Sequence, residues 1–411
     1  MSVIIIRNLF SRVGFVTLGS IVSFISVPII SRALGPNDYG IYSYAIALAG
    51  YAFLPANWGF LAKGIRDVAK SPEGGLKIVE RITPARLSLW FFGGIILLLI
   101  FPSFGSIENF KYISMAILIN FGVALSIDYF YYGQKKAFLP SFSSFFGQFF
   151  FLIMLLLFEG LINSILIVLL FNFFGRLIEA VILIVPVTKK IIIQMKLFSL
   201  KKGFYLLKGN FLLGLGAKSN FFVSSLPIII IPLFLASKDV GVYSASFKLF
   251  LVLTTLLHSI NLVFSPWIVE SQNKPLSVRR RMFGNLLFLY LFIGVICSSF
   301  SIVLGDEIID ILFGKSFEDS KIIFKYFCIF LMPLWPIYAL LSSYLNNLER
   351  DKAYFNGTIL KLIVLVVGLF LFIPLFGLKG AVFSIGLAVL IVTTYYFIHV
   401  FSMLKKKTIL P

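Results

Sequence analysis

The sequence predicts an all-α polytopic membrane protein of about 12 transmembrane helices, set as two parallel six-helix bundles around a central cleft. Three observations predict it: an apolar excess too large for a soluble core, a strict alternation of basic and non-basic loops, and an internal repeat. Of the 411 residues, 59% are hydrophobic and 13% charged, with mean hydropathy +1.00. A soluble domain carries roughly a quarter charged residues. The formal net charge of +19 reads as lysine and arginine on the cytoplasmic side of a membrane. No soluble basic module is present to dock a nucleic acid, so that partner class is excluded.

A bilayer core about 30 Å thick needs roughly 20 apolar residues in a helix. Such runs fall near 9–31, 39–62, 87–106, 112–132, 138–158 and 161–187, and again near 207–236, 240–268, 284–305, 322–346, 353–375 and 378–403. The first run follows no small-residue cleavage pattern and reads as an uncleaved signal-anchor. Cys297 and Cys328 both sit in apolar runs, as packing residues rather than a disulfide or metal framework. No metal and no cofactor is expected.

With the N-terminus inside, 24 of the 36 basic residues fall on the cytoplasmic side, Arg86 and Arg279 among them, and only Arg32, Lys111, Lys238, Lys315, Lys321 and Lys379 fall outside. The outer loops hold acids instead: Asp306, Glu307, Asp310, Glu318 and Asp319. Omitting one span breaks this alternation, so both termini are expected in the cytoplasm. The sequence divides into an N-terminal bundle (1–190), a basic cytoplasmic linker (191–206) and a C-terminal bundle (207–411). The long basic segments 63–86 and 188–206 fit either amphipathic helices lying on the membrane surface or solvated connectors.

Val27-Pro28-Ile29-Ile30 precedes Asp38-Tyr39-Gly40-Ile41-Tyr42-Ser43, and Leu226-Pro227-Ile228-Ile229 precedes Asp239-Val240-Gly241-Val242-Tyr243-Ser244. Lys136-Ala137-Phe138 pairs in the same way with Lys352-Ala353-Tyr354. An even number of spans separates the copies, so the two halves point the same way. Asp is expected at the helix N-cap, Gly at a close approach and Tyr at interface depth. Pro28 and Pro227 permit a kink in mid-span.

The run SRALGPNDYGIYSYAIALAGYAF, with NWGF and GIRDVAK after it, resembles the opening of bacterial polysaccharide and O-antigen flippases of the Wzx type, within the multidrug/oligosaccharidyl-lipid/polysaccharide exporter superfamily. IDYFYYGQKKAF, VGVYSASFKLF with FSPWI, and IPLFGLKGAVFSIG are similar to later segments of that family. The resemblance implies a flippase carrying undecaprenyl-diphosphate-linked oligosaccharide from the inner to the outer leaflet of a bacterial inner membrane by alternating access. It also implies polyprenyl diphosphate glycan and membrane lipids as partners, beside a polysaccharide polymerase and a chain-length regulator.

Charges at bilayer depth are costly and are functional candidates. They are Arg12, Arg176, Lys218, Lys248, Lys325 and Lys361, with the acids Asp128, Glu179 and Glu270. Lys325, Glu270 and Asp128 lie near span ends, within snorkelling reach. Arg176 and Glu179 are three apart on one helix, as an internal ion pair or as functional groups. Lys218, Lys248 and Lys361 lie deep in their spans with no acid one turn away. Asn210, Gly214, Lys218 and Ser225 share one helical face, and so do Ser244, Lys248, Thr255 and Ser259, which points to a watered cleft. Substrate binding is assigned to Lys218, Lys248, Lys361, Arg176 and Arg12, and ion coupling to Asp128 or Glu179. His258 and His399 are expected to pack rather than relay protons.

A cation antiporter of the same superfamily needs acids in its cleft, whereas the deep charges here are mainly basic. A peptidoglycan-precursor flippase usually has two further spans. A membrane polymerase needs a sizeable outer loop with catalytic groups, and the longest here is 306–321. No phosphate-binding loop, zinc spacing or nucleophile elbow occurs, so no enzyme is expected.

Overall fold

The computed structural model describes residues 3–103, 107–187, 200–209, 211–272, 274–348 and 350–405, some of them by backbone alone, and they contain no strand. The helices are α1 (Val3–Phe53), α2 (Phe60–Lys70), α3 (Gly75–Ile100), α4 (Ile107–Leu125), α5 (Asp128–Gly133), α6 (Phe138–Leu157), α7 (Ile165–Ile184) and α8 (Leu200–Gly209). They continue with α9 (Phe211–Ile230), α10 (Ser237–Ser271), α11 (Leu276–Phe313), α12 (Glu318–Tyr326), α13 (Leu334–Asn347), α14 (Asp351–Phe376) and α15 (Leu378–Lys405). Eight helices are long and apolar enough to cross a membrane, or nine with one bent pair, among the described residues. The protein is therefore a multi-pass membrane protein. Each of the predicted spans falls on helix, but reaching twelve requires dividing α1 and counting α9 and α10 as well.

That division of α1 has a clear cause. Gly35 has φ 70 and ψ 172 inside α1, and the residue before a proline is steered out of the α region. Only glycine takes a positive φ there without strain. The chain so breaks between the first two predicted spans. The second ends at Phe53 rather than 62, because a 3-10 turn at Pro55–Asn57 and a left-handed Gly59 redirect it into α2. The third starts earlier than predicted, at Gly75, and stops at Ile100.

The molecule packs as two units, Met1–Lys218 and Ser219–Pro411. In the first, the segment 63–86 expected on the membrane surface or in solvent is divided between α2 and the start of α3. The apolar face of α2 lies on α5: a Cβ at Gly64 would meet the Tyr129 ring at 2.6 Å, and one at Gly133 would meet Val68 at 2.6 Å. The polar face of α2 carries Asp67, which pairs with Arg81 at 2.7 Å and Lys63 at 3.7 Å. The other basic segment, including Ile191, Ile192, Ile193, Met195, Leu197 and Phe198, lies outside the described residues apart from α8, which rests on α3 through Gly203 against Leu89.

Arg86 corrects the loop assignment. It lies inside α3 and is 5% exposed. Its guanidinium donates to the carbonyls of Ala56 (3.1 Å), Ser126 (2.7 Å) and Val123 (2.7 Å). Those carbonyls lie where the chain leaves helix, and a buried helix end must find donors for them. A guanidinium offers five N–H groups in a fixed fork, and its charge suits the negative end of the α4 dipole. Arg279, also assigned to a loop, is buried in α11, and its neighbour Arg280 donates to the Leu404 carbonyl at 3.0 Å, near the end of α15.

In the second unit α12 and α13 make one bent span, with 48° between the halves Lys315–Leu331 and Leu334–Asn347. A π-helical turn at Phe327–Leu331 precedes the bend, and the Ser298 hydroxyl donates to the Cys328 carbonyl at 2.6 Å, supporting the widened turn from α11. Towards the other end of α11, Asp306 and Asp310 face Lys325 (2.6 Å) and Lys321 (2.7 Å) of α12. Lys325 is thus paired with an acid rather than left to snorkel. Glu270 is exposed beside Lys274 at 3.7 Å. Both cysteines are free thiols, Cys328 fully buried.

The repeat copies occupy equivalent places. Asp38 is third after the break at Gly35, and Asp239 is third after Ala236, the residue before α10. Oδ2 of Asp239 accepts the Ala236 N–H at 3.1 Å. The aspartate therefore caps from within the first turn, not from the N-cap position expected. Tyr243 is buried against Phe247 and Phe327, and Gly40 and Gly241 are buried too.

Candidate functional site

In the first unit two of the candidate charges, Arg176 and Glu179, lie on one face of α7. Asn172, Arg176 and Glu179 follow the i, i+4, i+7 spacing that aligns side chains on a helix. The Asn172 amide donates to the Tyr42 hydroxyl at 3.4 Å, and Arg176 binds Glu179 at 3.0 Å. Small residues set this helix in place. A Cβ at Gly147 would come within 2.6 Å of the Gly175 carbonyl oxygen, and one at Gly122 within 2.5 Å of the Arg176 carbonyl oxygen. Close backbone approach at small residues is the usual means of packing helices in lipid, where no hydrophobic force draws them together. Glycines on α4 and α6 so hold the backbone that carries Arg176.

The ion-pair reading of Arg176 and Glu179 is the geometry observed. The side chains are 39% and 19% exposed, so the pair is not sealed within the helix packing. Asp128 opens α5, and its Oδ1 accepts the Tyr129 N–H at 2.9 Å. It has no salt bridge within 4 Å among the described residues. The side chains of Arg12 and Lys218, and those of Asn210, Gly214, Thr255, Ser259 and His258, lie outside the described residues.

In the second unit Lys248 and Lys361 have opposite surroundings. Every residue from Val240 to Phe250 is buried except Lys248, which is exposed. Ser244, one turn earlier, is buried with an unpartnered hydroxyl. Lys361 is 2% exposed. Its Nζ donates to the Tyr338 hydroxyl at 2.7 Å, and its distance of 4.8 Å from the ring centroid follows from that bond. Tyr338 stacks on Tyr396, and Tyr396 on Tyr354, at 6.0 and 6.1 Å. The Tyr396 hydroxyl donates to the Tyr354 carbonyl at 2.9 Å.

Gly357 admits this tyrosine stack, since a Cβ there would fall 2.1 Å from the Tyr396 ring. Lys361 was expected in the watered cleft beside Lys248. It stands instead where α13, α14 and α15 meet, closed to solute in this conformation. Sequence reasoning missed both Tyr338, its partner on another helix, and Arg86. His399 packs on Tyr395, with ring centroids 4.3 Å apart. Outside the spans, the hydrogen bond from Lys238 to Asp319 at 2.7 Å pushes the Lys238 pKa above its ordinary value.

Helical units of this kind, with polar groups set into apolar spans, make a multi-pass membrane protein. The fold is similar to that of the lipid II flippase MurJ in an inward closed conformation, with TM-score 0.70, 15% identity, and coverage of 97% of this chain and 87% of that one. It is similar also to a multidrug resistance MATE family transporter of the MOP superfamily, inward-facing, with TM-score 0.66, 12% identity, and coverage of 95% and 96%. An outward-facing MATE structure aligns with TM-score 0.56, 13% identity, and coverage of 98% and 96%. No curated protein matches the chain by sequence. Residues 5–272 match the family described as polysaccharide biosynthesis protein, and the chain belongs to that family.

Proposed function

We propose that this protein is a flippase for undecaprenyl-diphosphate-linked oligosaccharide, moving it by alternating access from the inner to the outer leaflet of a bacterial inner membrane. The observation that carries the reading is Lys248. It is the exposed member of an otherwise buried stretch, and no carboxylate pairs with it among the described residues. A lysine held open at span depth is costly unless a counter-charge arrives, and a diphosphate supplies one through charge-assisted hydrogen bonds. Lys218 joins it in binding the head group, and Arg176 with Arg12 does the same from the first unit. Lys361 supplies positive potential from within the helix packing rather than direct contact. Asp128 and Glu179 remain the candidates for ion coupling.

Family membership supports a role in polysaccharide export, and the charge alternation supports cytoplasmic termini. A polymerase and a chain-length regulator are the partners such a role entails. The rival is cation antiport in the same fold, which relies on an unpaired acid. Glu179 is held by Arg176, which weakens that reading and leaves Asp128 as its candidate. Reconstitution decides between them: Lys248→Ala is expected to abolish flipping of labelled polyprenyl-diphosphate glycan while Lys248→Arg retains it. Full flipping by Lys248→Ala overturns the assignment.

A further inference from the structure

The second unit has an apolar pocket that the transport reading does not use. It has a volume of about 300 Å³ and is walled by Phe330, Leu334, Phe376, Phe383, Gly386 and Leu390 among others. A water occupies about 30 Å³ in the liquid, and a methylene is of similar size, so the pocket holds on the order of ten chain carbons. Gly386 forms part of its wall. Unlike Gly147 or Gly357, it is not required by a tight helix contact, because a Cβ there would meet nothing nearer than Leu331 at 3.7 Å. The missing side chain leaves space rather than allowing an approach.

The rim is cationic. Lys379 lies one turn before Phe383 and sits 5.2 Å from the centre of the Tyr326 ring, which packs edge-on against Phe383 at 5.6 Å. Lys238, Lys321 and Lys325, near the same end of the unit, each bind an aspartate. Lys379 is exposed and has no such partner among the described residues. From Lys379 to Leu390 is eleven residues of α15, about 16 Å along a helix, so the pocket descends from a charged edge into the apolar depth of the span.

The geometry points to a binding site for an anionic phospholipid of the bilayer, with one acyl chain in the pocket and the phosphate on Lys379. Chain and lipid interior are equally apolar, so the pocket fixes position while the lysine selects the head group. One lysine near a membrane surface gives about a fivefold preference for an anionic lipid. The site is independent of the cargo.

The test is photolabelling of the purified protein in nanodiscs, using phosphatidylglycerol or phosphatidylcholine with a diazirine on the acyl chain. Labelling is expected within residues 383–390, about fivefold stronger with phosphatidylglycerol. Lys379→Gln should equalise the two lipids without moving the label. Gly386→Phe should remove the label there and leave labelling elsewhere unchanged, and Leu390→Trp fills the pocket from its deep end should that variant fail to fold. Equal labelling of the wild type by both lipids, or label spread evenly along α14 and α15, overturns the proposal. So does competition by decaprenyl phosphate but not by phosphatidylglycerol, which gives the pocket to the carrier lipid.

Discussion

Lys361 donates a 2.7 Å hydrogen bond to Tyr338 across the contact of α14 with α13, and no carboxylate pairs with it among the described residues. A buried ammonium with one neutral acceptor opposes folding, because desolvation of the charge is only partly offset. Its proposed place in transport can then be tested apart from stability. Lys361→Met should leave the apparent Tm unchanged or raised, while transport falls. Tyr338→Phe should lower stability by about 1–3 kcal/mol by removing that acceptor, and the double variant should recover it. Thermal unfolding in detergent reads all three. A Lys361→Met protein that unfolds early and transports normally contradicts this account.

Arg86 is the reverse case, a charge the fold depends on. Replacing it with Met orphans the carbonyls of Ala56, Val123 and Ser126 at once. Losing a buried polar partner costs about 1–3 kcal/mol, so the three together should abolish stable expression. Arg86→Lys should recover little, since an ammonium cannot reproduce the fork. Membrane abundance measured by quantitative blotting is the check.

The Arg176–Glu179 pair separates stability from transport. A half-exposed ion pair is worth about 0–1 kcal/mol, so Arg176→Ala should shift the unfolding temperature little. Transport should fall, because the head group loses the Arg176 guanidinium proposed to bind it. Exchanging the two residues should restore the pair without restoring transport. If transport recovers on exchange, the pair serves only to neutralise itself.

The bent span supplies a further prediction. Ser298→Ala removes the donor to the Cys328 carbonyl in the π-helical turn, which should lower stability by about 1 kcal/mol. The amides of Phe327–Leu331 should then exchange hydrogen faster than those of α14. Unchanged exchange at this turn contradicts its support by α11.

The membrane class was legible because it rests on periodic quantities, apolar run length and loop charge. Element identity followed, as did the break near Gly35, where a Gly-Pro pair signals it directly. Arg86 was misplaced because the charge rule scores a residue by type, whereas its position depends on carbonyls 30 to 40 residues away. Ile82 and Leu87 on either side of it were the available signal. Lys361 stands well inside α14, but depth along a helix does not say whether the side chain faces water or a neighbouring helix. That is set by Tyr338 and Tyr396, whose partnership has no local pattern. An amphipathic helix was one of two readings open for the segment that holds α2, and the small residues Gly64 and Gly133 that turn its apolar face onto α5 matter only once both helices are present.

The central proposal is that this protein carries an anionic lipid-linked glycan across the membrane, and translocation in proteoliposomes tests it most directly. Fluorescent polyprenyl-diphosphate oligosaccharide in the inner leaflet should become accessible to an external quencher with the wild type and with Lys248→Arg, and not with Lys248→Ala, while ethidium is not moved. Extrusion of ethidium with no movement of the glycan lipid contradicts the account and makes the protein a cation exporter.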